Sequence, residues 1–303
     1  MLALSTSCLA RQSKDGDSLI KTLKRFDISA VELEYRISDA VYRRFRELLP
    51  ESDIKITSIH NYFPIPPKLT TSKGGGDLYL LSSPDREERE HAVFWTNKTI
   101  EHAADLGARA VVLHCGYVAM DMELNTLYAF FNSNQIRSKE AQAFISRKLK
   151  ERGRLKPIYL DSLLASLEQL APVAEKRGIL LAIENRYHYR ELPTLEDLGA
   201  IFTRFEGGPL GYWHDAGHAF VNEALSLIPA GSLLNAYSQK LIGVHFHDAR
   251  GLTDHLVPGT GEIDFSRITA CLKKDTLKVL ELKPGTPDSE IFRAIRFARK
   301  EFL

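Results

Sequence analysis

The sequence has 303 residues, of which 44% are hydrophobic and 26% are charged, and its formal net charge is +1. This composition is typical of a globular chain. It contains no apolar run of about 20 residues that would cross a membrane, and its near-zero charge gives no general attraction for nucleic acid. The three cysteines, Cys8, Cys115 and Cys271, are too widely spaced for a CxxC zinc ribbon and do not indicate a disulfide framework.

Eight short apolar runs alternate with segments of helical periodicity along the chain. Parallel strands covered on both faces have this continuous apolar character, and the alternation is typical of an α/β fold. The predicted strands are Leu2–Thr6, Ala30–Tyr35, Ile54–His60, Ala110–His114, Ile179–Glu184, Leu210–His214, Leu241–His245 and Leu277–Leu282. They predict one (β/α)8 TIM barrel over residues 1–303, with a doubly wound open sheet as the alternative.

Two long loops interrupt the predicted barrel, after its third and fourth strands. Residues 64–83 are rich in proline, glycine and serine, and residues 117–157 form an insertion with a basic helix predicted around Lys139–Glu151. Both would leave from the C-terminal face of the barrel, where active sites are built. We therefore expect the 117–157 insertion to act as a lid, and the basic side chains of its helix to be solvated.

Six of the eight predicted strands end at or beside a residue that can bind a metal ion. Because barrel strands converge at their carboxyl ends, these side chains should become neighbours around one pocket. They are His60, His114, Glu184, His214 to His218, His245 to Asp248, and Glu281. A ring of imidazoles and carboxylates is the result.

Electrostatics favours a metal in this ring. Glu184, Asp215 and Glu281 would crowd three like charges in a partly buried mouth, which is costly unless protons or cations neutralise them. A divalent ion removes that cost. Histidine nitrogen and carboxylate oxygen, without cysteine, suit Zn²⁺, Mn²⁺ or Fe²⁺. After the seventh strand, Asp254 and His255 offer another possible ligand pair, of which His255 is the more useful, and the GxG that follows is only a weak signal for phosphate binding.

These motifs resemble the xylose isomerase-like barrel superfamily, which contains endonuclease IV and many sugar isomerases and epimerases. The likeness spans nearly the whole chain. The four-ligand metal site of those enzymes is matched by Glu184 in IENR, Asp215 in HDAGHAF, His245 in VHFHD and Glu281 in LELK. The resemblance implies a divalent-metal enzyme with one to three ions, Zn or Mn, per chain.

Four more histidines match those with which endonuclease IV completes a three-zinc cluster. They are His60 in SIHNY, His114 in VLHCG, His218 in DAGHAF and His255 in DHLVPGTG. Where the endonuclease pattern has an aspartate two residues before the last histidine, this chain has Thr253, and Asp254 is shifted by one. The third metal site is therefore left open, as is the choice between His245 and His247, although His245 fits the HxxD spacing.

The first functional hypothesis is an isomerase or epimerase of a sugar or sugar phosphate, with Glu184 and Glu281 moving protons on and off carbon. The resemblance adds substrate contacts by Arg186, His247, Arg250 and Lys283. The alternative is a zinc phosphodiesterase of the endonuclease IV kind that cleaves abasic sites. A barrel that only binds its ligand is the third reading.

The partners follow from these hypotheses. We expect a small polar substrate, with nucleic acid only under the phosphodiesterase alternative, and no membrane. The first residues lack the charged flank and cleavage site of a secretory signal, so a cytoplasmic location is expected. A homo-oligomer is compatible with the sequence.

Overall fold

Eight parallel strands close into a barrel in the computed structural model, which describes residues 1–10, 13–66 and 75–303. Neighbouring strands follow the order β1-β10-β7-β6-β5-β4-β3-β2, and β8 and β9 form a separate antiparallel hairpin. The strands are β1 (Leu2–Ser5), β2 (Ala30–Leu33), β3 (Lys55–His60), β4 (Ala110–Leu113), β5 (Leu180–Glu184), β6 (Leu210–Asp215), β7 (Leu241–Phe246), β8 (Asp248–Arg250), β9 (Thr253–Leu256) and β10 (Leu277–Leu280). The predicted α/β barrel is confirmed, and every predicted barrel strand is present.

Helices surround the barrel and connect its strands. None of the helices in the described ranges is long and apolar enough to cross a membrane. They are α1 (Gly16–Arg25), α2 (Asp39–Leu48), α3 (Arg86–Asp105), α4 (Leu124–Asn132), α5 (Lys139–Arg177), α6 (Leu195–Arg204), α7 (Ala216–Ala224), α8 (Ser232–Tyr237), α9 (Phe265–Thr269) and α10 (Asp288–Glu301).

The two-residue alternation of the strands separates two apolar layers. Side chains such as Leu4, Val31 and Ile183 face outward into the large core between strands and helices. The inward positions carry alanines and β-branched residues around one large ring, namely Ala3, Ala30, Ala110, Val112, Ala182, Trp213, Ile242 and Val279. Continuing the same alternation towards the carboxyl ends brings polar side chains inward, so the barrel interior is apolar below and polar at its mouth.

The insertion after β4 packs against the barrel mouth. The helix predicted around Lys139–Glu151 is the first part of α5, which continues without a break until Gly178 caps it in the left-handed conformation. Leu127, Phe144 and Ile145 form an apolar cluster with Val221 of α7 and with residues of the β5–α6 loop. Of the predicted loop 64–83, residues 67–74 lie outside the described ranges.

Asp248 organises the hairpin and the loop that follows it. Its carboxylate accepts backbone N–H groups of Ala249, Gly259, Gly261 and Ile263 at 2.8 to 3.1 Å. A Cβ at Gly261 would lie 2.2 Å from the carbonyl oxygen of Ala249, so only a glycine lets the loop come this close to the backbone of β8. The aspartate of the HxxD motif thus holds the loop that follows the hairpin.

Gly243 and Gly153 make a matched pair for testing the barrel interior. A Cβ at Gly243 would lie 2.2 Å from the Trp213 ring, whereas nothing stands within 4 Å of one at Gly153, which is exposed in α5. Gly243→Ala should lower the free energy of unfolding by about 1–3 kcal/mol through overpacking. Gly153→Ala should raise it by about 0.5–1 kcal/mol. Urea denaturation measures the free energy of unfolding of both variants. Equal changes in the two would contradict the close packing of Gly243 against Trp213.

Candidate metal centre

Strand alternation and loop geometry bring all eight predicted ligands to the mouth of the barrel. His60, Glu184 and Asp215 are the last residues of β3, β5 and β6, and His114 and Glu281 directly follow β4 and β10. His245 lies inside β7, His218 in the first turn of α7, and His255 on β9. Together with Asp254 and His247 they form four overlapping groups whose ligand atoms lie close enough together to hold a metal ion, one of which is Asp215, His247, His255 and Glu281.

The inner group consists of Glu184, Asp215, His245 and Glu281, whose ligand atoms lie within 4.8 Å of one another. The Nδ1 atom of His245 lies 2.8 Å from Glu184 Oε1, 3.1 Å from Glu281 Oε2 and 3.7 Å from Asp215 Oδ2. One imidazole nitrogen therefore faces three carboxylates. An N/O set of this kind suits Zn²⁺ or Mn²⁺.

A second group shares Glu184 with the first. Its Oε2 lies 3.0 Å from His114 Nε2 and 3.5 Å from His60 Nε2, while Oε1 faces His245. The two oxygens of one carboxylate thus point into two adjacent ligand groups. This is the arrangement in which a carboxylate can bridge two ions.

The third group contains Asp254, despite the departure at Thr253. His218 Nε2 lies 3.7 Å and His255 Nδ1 3.1 Å from Asp254 Oδ2. Adjacent side chains of a regular strand point to opposite faces, but His255 has a φ of 52°, which breaks that alternation. Asp254 and His255 can therefore serve one group with His218, and Thr253 is exposed.

The second nitrogen of four of these imidazoles faces an oxygen. Those oxygens belong to a backbone carbonyl or a carboxylate, so the nitrogen beside each carries the proton and the other nitrogen keeps a lone pair directed into the centre. The pairs are His60 Nδ1 with Asn61 O (2.9 Å), His114 Nδ1 with Asp77 Oδ2 (3.1 Å), His218 Nδ1 with Asn185 O (3.0 Å) and His245 Nε2 with Glu32 Oε1 (3.0 Å).

The charges in the centre call for cations. Glu32, Asp77, Asp254 and the three inner carboxylates surround it, and the Arg186 guanidinium contacts only part of this set. Within the described residues, the buried Oε2 of Glu184 accepts no hydrogen bond, although two imidazole nitrogens lie within 3.5 Å. Lone pairs that face an ionised oxygen at such distances repel unless a cation lies between them. The residues present therefore fit divalent ions.

The pKa of His245 responds to the negative charge of the same carboxylates. Burial alone lowers the pKa of this imidazole, but the carboxylates of Glu281 and Glu32 outweigh burial and hold it well above its usual value. In the metal-free protein a proton on His245 thus supplies part of the missing positive charge. A metal ion at Nδ1 has to displace that proton.

Comparison with known proteins identifies the family to which this fold belongs. The profile of the family described as Xylose isomerase-like TIM barrel matches residues 20–301. The chain belongs to this family. An uncharacterised protein of Methanocaldococcus jannaschii is 32% identical over 131 residues, which are 43% of this chain and 49% of that protein. The chain thus matches about half the length of this curated relative.

Solved structures share the fold of this xylose isomerase-like barrel over its whole length. A 3-keto-D-glucoside 4-epimerase, YcjR, from E. coli has a TM-score of 0.70 at 14% identity, covering 99% of this chain and 98% of that one. A D-tagatose 3-epimerase-like protein gives 0.68 at 19%, covering 99% and 96%. An IOLI protein with a bound zinc atom gives 0.65 at 15%, covering 99% and 95%. At these identities the likeness establishes the fold.

The predicted substrate contacts occupy different environments. Arg186 is buried beside the centre, with Nη1 3.6 Å from Glu184 Oε2 and Nη2 3.1 Å from Asp77 Oδ2. Arg250 and Lys283 are exposed. His247 is fully buried behind Asp215.

Sequence reasoning missed two carboxylates that hold ligand histidines. Glu32 lies in the second strand, AVELEY, where a charged residue in an apolar run on the inward parity was a usable signal. Asp77 lies in the long loop after β3 and had no periodic signal. Asp254 was predicted with His255 as a possible ligand pair, but the left-handed backbone that lets both side chains serve one group with His218 cannot be read from the residue types.

Glu32 offers a test of how His245 is oriented. Glu32→Gln keeps the shape but removes the charge that fixes the proton on His245 Nε2, and it should weaken Zn²⁺ binding at the inner group by about 10–100-fold. Zinc competition with a chromophoric chelator measures this change. Glu206→Gln, at an exposed carboxylate, is the control. Unchanged zinc affinity in Glu32→Gln would contradict the assigned contact.

The pKa of His245 predicts how metal stabilisation varies with pH. Because its folded pKa is raised, the imidazolium stabilises the metal-free protein fully below its unfolded pKa of about 6.5, and this stabilisation is lost as the pH rises through the raised value. Zinc should therefore raise the melting temperature more at about pH 8 than at about pH 5.5.

Differential scanning fluorimetry of chelator-treated protein, with and without Zn²⁺, measures this difference. A rise in melting temperature that is equal at both pH values, or larger at the acidic one, would show that zinc does not compete with protons in the centre.

Proposed function

We propose that this protein is a divalent-metal-dependent isomerase or epimerase of a sugar or sugar phosphate. The observation that carries the proposal is the pair Glu184, at the end of β5, and Glu281, directly after β10, two carboxylates that contact the same nitrogen of His245. Isomerisation and epimerisation beside a carbonyl need one group to remove a proton from carbon and another to return one. A divalent ion held by the inner group would polarise the carbonyl and hydroxyl oxygens of the substrate.

The chain's own residues support the remaining steps. One of the two glutamates accepts the proton from carbon, and the electron pair moves onto the carbonyl oxygen. The other glutamate, which has to enter the step protonated, returns its proton to the opposite face or to the adjacent carbon and is left ionised. Arg186 is buried, and its Nε and Nη1 have no hydrogen-bond partner among the described residues. These donors suit a hydroxyl or phosphoryl oxygen of the substrate.

The enclosure of the centre supports a small substrate. Glu184 is 1% exposed, and the accessible groups are those at the rim, with Glu281 at 12% and His255 at 24%. The insertion residues Leu127 and Phe144 pack near the hairpin residue Leu252, which also accepts a hydrogen bond from the Tyr187 hydroxyl. We therefore retain the insertion as a lid that excludes water from the reacting carbon. Solved relatives of the same fold include sugar epimerases.

The third ligand group favours a second candidate function. His218, Asp254 and His255 form a third ligand group beside those of His245 and His60, so three ions could be held in all. The resemblance to endonuclease IV associates such a cluster with phosphodiester cleavage, in which metal ions activate water and stabilise the leaving oxygen. The exposed Arg250 and Lys283 would then meet backbone phosphates.

One set of assays separates the two functions. The Zn²⁺- or Mn²⁺-loaded protein is incubated in D₂O with a panel of ketoses and their phosphates, and proton NMR follows loss of the signal at the exchanging carbon. Glu281→Gln should lower the exchange rate by at least about 100-fold, and Glu206→Gln should leave it unchanged. Metal content of each variant is measured alongside.

A duplex that contains an abasic site is tested with the same preparations. If no sugar exchanges and the duplex is cleaved by the wild-type protein but not by Glu184→Gln, the isomerase proposal is wrong and the phosphodiesterase takes its place.

A further inference from the structure

The His247 ring joins the inner and third ligand groups. It directly follows β7, is fully buried, and has Nε2 3.0 Å from both carboxylate oxygens of Asp215. Its other nitrogen, Nδ1, lies 2.8 Å from the backbone N of His255. One side chain therefore contacts a ligand of each group.

These partners fix the proton on the ring. A backbone N–H can only donate, so His247 Nδ1 accepts and carries no proton. In the neutral imidazole the proton is then on Nε2, which donates it to Asp215. With Nδ1 accepting from His255 and Nε2–H donating to Asp215, both nitrogens have partners within the protein. Nε2 could serve in the group of Asp215, His247, His255 and Glu281 only by giving up its proton and this hydrogen bond.

Packing leaves the ring no alternative orientation. A Cβ at Gly217, in the first turn of α7, would lie 2.2 Å from Cε1 of His247, so the helix backbone closes directly against the ring. On its other side the ring stacks on the imidazole of His255, with centroids 4.0 Å apart and planes 13° from parallel. His255 has a left-handed backbone, with φ 52°, and its own N–H donates to His247. This hydrogen bond helps to hold the strained conformation.

We propose that His247 is a positioning residue that couples the two ends of the metal centre. Its Nε2–H holds Asp215 for the inner group, and its Nδ1 holds the backbone that presents His255 to the third group. The inference rests on the proposed metal centre and does not depend on which reaction the centre catalyses. It replaces the predicted role of His247 in substrate binding.

Two substitutions separate the two contacts. In His247→Asn the amide reaches the position of Nδ1, so an acceptor for the His255 N–H remains and the donor to Asp215 is lost. In His247→Gln the amide reaches the position of Nε2, so the donor remains and the acceptor is lost. His91→Gln, at an exposed histidine of α3, is the matched control.

Zinc titration followed by long-range proton-nitrogen NMR of the histidine rings reads each group separately, because His245 reports the inner group and His218 the third. In the wild-type protein, His247 should show the Nε2–H tautomer with and without zinc. His247→Asn should weaken zinc binding at His245 by about 10–100-fold, and His247→Gln should weaken it at His218 by at least about 10-fold. His91→Gln should bind as the wild type does.

Three results would overturn the inference. The first is a zinc-ligand shift on a His247 nitrogen, the second is wild-type affinity at both groups in both variants, and the third is a wild-type protein that binds no zinc at His218. Circular dichroism of each variant identifies loss of fold. If the wild type shows the predicted coupling but exchanges no sugar proton, the proposed function fails and the role of His247 stands.

Discussion

The Glu184 carboxylate is the contact on which the rest of the centre depends. It is buried at the end of β5 and directs Oε1 to His245 and Oε2 to His114 and His60. An ionised carboxylate in such a place costs several kcal/mol unless cations or hydrogen-bond donors surround it. When the surrounding imidazoles are neutral, their protons lie on the far nitrogens and the rings offer lone pairs instead. Charge balance therefore requires metal ions or extra protons, and the fold supplies the geometry for metal ions.

Much of this arrangement could be predicted from the sequence because it follows from strand periodicity. Once eight parallel strands are placed, the two-residue alternation sends His60, Glu184 and Asp215 into the same mouth. Strand periodicity gives no position for residues outside it. Asp77 comes from a long loop, and Asp254 joins His218 only because the backbone at His255 is left-handed. His245 and His247 share parity, and only their hydrogen-bond partners distinguish a ligand from a residue that holds one.

Groups that do not themselves belong to the eight predicted ligands surround the centre and limit how far the ligands can move. Glu32, Asp77 and two backbone carbonyls orient four imidazoles, and His247 orients Asp215. The alanines of the barrel interior make room for Trp213, whose ring meets that of His245 edge to face with centroids 5.0 Å apart. Ligands fixed in this way lose little further conformational entropy when an ion binds, which favours tight binding.

A crystal structure of the zinc-loaded protein, with anomalous data collected on both sides of the zinc edge, tests the central claim most directly. The account predicts an anomalous peak enclosed by Glu184, Asp215, His245 and Glu281, further peaks at the groups around His114 and His218, and none at His247. No anomalous density within the inner group, or zinc bound only to surface side chains, would contradict it.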